Sequence, residues 1–117
     1  MKAVIEIVKR GSAVKAARRQ LASSARGGEP DYYLGFESAR SLLSELTPAR
    51  VELLDTLRRV GPCSVYALAK SAERNYSNVH SDVGRLEQLG LIERTEEDAV
   101  FVPYDSVEIH LPLAHVA

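Results

Sequence analysis

Residues 75–94, NYSNVHSDVGRLEQLGLIER, place apolar side chains at Val79, Val83, Leu86 and Leu89. At about 100° per residue these fall on one face of a helix, so this segment has one side to bury and one to show. The opposite face carries Ser77, Ser81, Gly84, Arg85 and Gln88, with Asn78 and His80 on its flanks and Tyr76 nearer the apolar stripe. Gly90 stands where a helix closes with a left-handed residue, and Leu91-Ile92-Glu93-Arg94 then reads as a strand. Beyond the acidic turn Glu96-Glu97-Asp98, the run Ala99-Val100-Phe101-Val102 predicts a returning strand before Pro103. The helix therefore leads into a β-hairpin.

The residues upstream narrow the choice of fold. Thr47 followed by Pro48 is a helix start, and Val51, Leu54, Leu57 and Val60 recur at helical spacing up to Gly61, predicting a helix over 47–60. Ser64 can cap a shorter helix with Val65, Leu68, Ala69 and Ala72 inward, and Glu73 and Arg74 link it to the 75–94 run. Helix, short helix, tight link, longer helix and hairpin is the order of a winged helix-turn-helix. On such a scaffold the second helix offers its N-terminal end to the major groove of DNA. Free N–H groups, Ser and Asn side chains and a guanidinium suit phosphate oxygens and base edges. The candidate DNA-binding residues are accordingly Asn75, Tyr76, Ser77, Asn78, His80, Ser81 and Arg85, with Lys70 and Arg74 beside the turn as phosphate contacts and Arg94 at the wing. A solvated polar face has the same composition, and it is the preceding short helix that favours DNA. Tyr76 equally suits packing over the turn, and for His80 an ordinary surface histidine is the more natural reading than a DNA contact.

The chain of 117 residues, 45% hydrophobic, has the size of one domain with a small appendage. Its single cysteine, Cys63, forms no internal disulfide and no CxxC pair, which excludes the usual structural zinc sites and fits a reducing compartment. No apolar run approaches the roughly 18 residues of a membrane span, and the start MKAVIEIVKRGS has no signal-cleavage pattern, so a cytoplasmic protein is expected. Neither a Gly-rich phosphate loop, a Ser-His-Asp or Cys-His arrangement nor a carboxylate-histidine metal spacing is present. Enzymatic activity, cofactors and metals are not expected. Asp82 lies near the buried stripe, where a local hydrogen bond is the natural role. The net charge of −1 conceals a gradient: residues 1–30 carry seven Lys or Arg against two Glu, 61–90 balance, and 91–117 carry one Arg against six acidic residues.

Flanking segments complete the outline. Residues 2–8, KAVIEIV, have strand composition, and 12–26 read as a helix with a thin apolar stripe (Val14, Ala17, Leu21) and a basic one (Lys15, Arg18, Arg19, Arg26). GGEPDY is a loop, 33–36 a short strand, and Ser38 can cap a helix through Leu42, Leu43 and Leu46. Val107, Ile109 and Leu111 alternate with Glu108 and His110 as in a half-exposed strand. The whole is an α+β chain: a winged helix-turn-helix with an N-terminal β-α-β extension and a C-terminal strand. The expected division is 1–37 for dimerisation or partner docking and 38–117 for the winged helix with its C-terminal strand. The N-terminal strand and helix have too little apolar surface to stand alone, which favours a homodimer.

From about Ser38 onward, the elements LTPARVELL, NYSNVHSDVGRLEQLGLI and VPYD resemble a prokaryotic family of DNA-binding proteins related to MarR-type and ArsR-type winged-helix regulators. The N-terminal IEIV and the GFES segment are similar to that family as well. The resemblance implies a transcriptional regulator, with some members antitoxin-like, and carries the reading role onto Tyr76, Asn78, His80 and Ser81. Double-stranded DNA is the implied partner. The acidic wing and the balanced charge of 61–90 favour an alternative, an antitoxin or interaction module that grips a partner protein, such as a toxin, through its N-terminal region.

Overall fold

The computed structural model describes residues 1–8 and 30–113. The helix expected over 12–26, with Lys15, Arg18, Arg19 and Arg26, lies outside the described residues. In chain order the elements are β1 (Lys2–Ile7), β2 (Tyr32–Phe36), α1 (Ala39–Glu45), α2 (Pro48–Val60), α3 (Val65–Ala72), α4 (Tyr76–Gln88), β3 (Glu93–Arg94), β4 (Val100–Phe101) and β5 (Ser106–His110). They form two compact units, one of Met1–Glu45 with Tyr104–Ala117 and one of Leu46–Pro103.

The first unit is built on a three-stranded sheet of order β2-β1-β5, with β1 parallel to both neighbours. Ala3 lies opposite Tyr32 and Val107, and Ile5 opposite Leu34 and Ile109, so these side chains share one face. Ala3 and Ile5 are fully buried, as suits a central strand, and the Tyr32 ring stacks on Tyr104 with centroids 5.7 Å apart. The sequence reading grouped the last strand with the winged helix, whereas the structure pairs it with β1. Alternation reveals which side of a strand is apolar but not which edge it joins. Ser38 caps α1, its Oγ accepting the Ser41 N–H at 3.1 Å. Leu42 is buried as expected, while Leu43 is exposed.

The second unit is a helix-turn-helix with a wing. Thr47 and Ser64 cap α2 and α3, their hydroxyls accepting the N–H groups of Arg50 and Ala67 at 3.3 and 3.0 Å. Leu53, Leu54 and Leu57 form the buried stripe of α2. The expected stripe is rotated, because Val51 and Val60 remain exposed and Leu53 takes the inner position. In α3, Val65, Leu68 and Ala69 are buried. The turn follows at Glu73, which adopts a left-handed conformation (φ 54°), and Asn75 starts α4 with its Oδ1 accepting the Asn78 N–H at 3.3 Å. Val79, Val83 and Leu86 have no exposure at all. Gly90 (φ 81°) closes α4, and the Leu91 N–H reaches back to the Leu86 carbonyl at 2.9 Å. Leu91 and Ile92 are consumed as core, so the wing is shorter than expected: β3 and β4 pair antiparallel only through Glu93 with Phe101 and Arg94 with Val100. Two backbone hydrogen bonds between Cys63 and Val100, at 3.2 and 2.8 Å, anchor the wing to the loop before α3. Cys63 is half-buried, and that burial pushes its thiol pKa up.

Candidate nucleic-acid interface

Asp82 fixes how α4 is held. Its Oδ1 accepts from Arg50 Nε of α2 at 3.0 Å and its Oδ2 from Arg74 Nη2 of the turn at 2.7 Å. All three side chains are less than a third exposed. Burial pushes the Asp82 carboxyl up, but the hydrogen bonds and charges of Arg74 and Arg50 outweigh it and hold the group below the ordinary carboxylate value. One carboxylate thus ties α2, the turn and α4 together. The expectation that Asp82 bonds locally is extended by this geometry, since Arg50 is 32 residues away. Arg74, expected at phosphate, is instead drawn inward by the nearest carboxylate. Its Nη1 is buried and has no hydrogen-bond partner among the described residues.

With its inner face locked, α4 turns Ser77, Asn78, His80, Ser81 and Gly84 to solvent. Tyr76 is not near the core as expected: it is 49% exposed, with its ring centroid 5.8 Å from His80 and 6.4 Å from Tyr66 of α3. Lys70 lies one turn beyond Tyr66, its Nζ 5.5 Å from that ring's centroid, a cation–π distance. Tyr66, Lys70, Tyr76 and His80 therefore make one aromatic and cationic patch across α3 and the start of α4. The sequence reading missed Tyr66. Its four-residue spacing from Lys70 was the available signal, masked because Tyr66 neighbours the buried Val65. Arg50, also missed, carried no local signal, since its partner is distant in sequence. Asn75 serves as the helix cap. Arg85 is half-buried further along α4, its Nη1 donating to Gln88 Oε1 at 3.0 Å.

The wing is electrostatically closed on itself. Arg94, expected at DNA, places Nε and Nη2 on the Glu87 carboxylate at 2.8–3.0 Å and Nη1 on Asp98 at 3.0 Å. The hydrogen bond to Glu87 is the main reason its pKa is raised. Glu93, Glu96, Glu97 and Asp98 are exposed around it. Among the described residues no group of three or more His, Cys, Asp or Glu is placed to hold a metal ion, and no helix is long and apolar enough to cross a membrane.

The HVO_A0114 family model matches residues 45–109. No curated protein matches the sequence. Among solved structures, the chain is similar to the homodimeric winged helix-turn-helix DNA-binding domain (fragment 1–100) of Mb0332 from Mycobacterium bovis, a possible ArsR-family transcriptional regulator. The two share 18% identity with a TM-score of 0.47, over 81% of this chain and 74% of that one.

Proposed function

This chain belongs to the HVO_A0114 family, and on that premise we propose that it is a homodimeric, sequence-specific DNA-binding regulator of transcription, acting as a repressor in the cytoplasm. The observation that carries this reading is the division of α4: one face fully buried and clamped through Asp82, the other a row of short polar side chains beside the helix-turn-helix turn. Such a face enters a major groove without steric obstruction and offers donors and acceptors to base edges. Ser77, Asn78, Ser81 and Arg85 are the reading residues. Tyr76 and His80 pack against the sugar-phosphate edge, and Lys70 neutralises phosphate. Asn75, Arg74 and Arg94 act one step back, capping or bracing the elements that carry the readers.

Titration of a labelled fragment from the protein's own upstream region against a scrambled fragment of equal length tests the proposal. Specific binding is expected, typically 10³-fold or more tighter than to the scrambled sequence. Equal binding of both fragments would remove the regulator reading. The acidic wing supports a second reading, an antitoxin-like interaction module. Under it, neither fragment binds appreciably and a protein partner copurifies.

A further inference from the structure

β5 forms one edge of the sheet β2-β1-β5 and is exposed along its whole length. Val107 and Ile109 share a sheet face with the buried Ala3 and Ile5, yet remain 38% and 44% exposed. Leu111, just past the strand, is 39% exposed. An edge strand with an apolar side invites another strand. We propose that this strand is β5 of a second copy, paired antiparallel about a two-fold axis through Ile109, so that two three-stranded sheets become one. The inference rests on the homodimer reading above and specifies its interface.

The charges select both occupant and register. A two-fold axis perpendicular to the sheet keeps apolar face with apolar face only if it passes through a residue, which then meets its own copy. Centring on Glu108 sets two carboxylates directly opposite each other, which is destabilising. Centring on His110 opposes two imidazoles and draws Pro112, which has no N–H, into the ladder against Glu108, whereas centring on Ile109 leaves it at the end of the ladder against Ser106. Centring on Ile109 opposes Ile109 to itself and Val107 to Leu111 on the apolar face. On the other face it sets Glu108 of each copy against His110 of the other. That face also holds Lys2, whose Nζ is 3.1 Å from Glu108, and Glu6, which is opposite His110 in the register with β1. Strand β5 is therefore self-complementary in one register, whereas an unrelated strand has no reason to repeat this pattern.

Sedimentation equilibrium of the full chain at tens of micromolar, with circular dichroism on every variant, tests the proposal. The parent is expected to be a dimer. His110→Glu places two carboxylate pairs across the axis and should weaken dimerisation by about tenfold to thirtyfold. Combining it with Glu108→His exchanges the two side chains, removes both carboxylate pairs and should restore the dimer, because positions 108 and 110 face each other only in this register. Ile109→Lys should give a folded monomer. A monomeric parent, a dimer indifferent to His110→Glu, or a double variant no better than the single one would overturn the inference. Binding of the upstream fragment, measured on the same samples, keeps the two readings separate. Variants that behave as expected alongside a parent with no sequence preference support β5 pairing and remove the regulator; specific binding by a dimer insensitive to β5 does the reverse.

Discussion

Asp82 carries more of the second unit's organisation than any other polar side chain on α4, because its two oxygens serve arginines from different segments. Removing it leaves Arg50 and Arg74 facing each other's charge with little water, so Asp82→Asn should destabilise the fold by about 1–3 kcal/mol at neutral pH, read by urea unfolding. The pH dependence has a definite sign. The folded carboxyl sits below its unfolded value of about 3.9, so above that value both states are ionised and the clamp contributes fully. As pH falls from there through the folded pKa, the unfolded state takes up the proton first and stability is lost. Asp82→Asn should therefore flatten the acid limb of the stability profile; an unchanged limb would show that the clamp contributes nothing. The solvent face behaves in the opposite way. Ser81→Ala and Arg85→Ala should each change stability by less than about 0.5 kcal/mol. Arg85→Ala should weaken specific DNA binding by about 1–3 kcal/mol if it reads a guanine, and by less if it meets only phosphate. Parental affinity in both variants would move the reading surface off this face.

At the scale of elements, α4 was the most legible part of the sequence and α2 less so. The stripe of α4 is bounded by polar residues on both sides, so period alone located Val79, Val83, Leu86 and Leu89, all buried in the structure. In α2 the adjacent pair Leu53-Leu54 competes with Val51 and Val60, and packing against α3 and β4 decided between them. The clamp and the aromatic patch were not legible, since each joins residues of different elements whose approach is set by packing. Val83→Ala should cost about 1–3 kcal/mol through the lost buried side chain. Gly84, one position further, gives the sharper test. It is exposed in mid-helix, and a Cβ built there meets nothing within 4 Å. Gly84→Ala should therefore stabilise the protein by about 0.5–1 kcal/mol through helix propensity. If α4 lies against a groove floor, the same methyl should lower DNA affinity. A variant that is more stable and binds as tightly as the parent would show that DNA does not approach α4 at this turn.

Over the whole molecule, charge is distributed away from the unit that carries α4. Residues 46–103 hold seven basic and nine acidic side chains, and Arg50, Arg59, Arg74 and Arg94 among them face carboxylates. The basic excess belongs to residues 1–30, a gradient plain in the sequence. The pairing of β5 with β1 was not plain, because its partner lies about a hundred residues away and alternation is silent about partners. Under the proposed function, specificity has to come from base edges more than from phosphate. A dimer making two or three phosphate contacts per protomer releases few counterions, so log K for the upstream fragment should fall against log salt with a slope of roughly −4 to −5. Lys70→Ala should remove one contact per protomer and reduce that slope by about 2 for the dimer, while leaving the preference over scrambled DNA nearly unchanged. A parent slope near −10 would instead mean that the positive charges of residues 1–30 take part at the phosphates. In that case, neutralising Lys15, Arg18 and Arg19 together should return the slope to the shallow range, whereas neutralising them in a protein of shallow slope should leave DNA binding as it was.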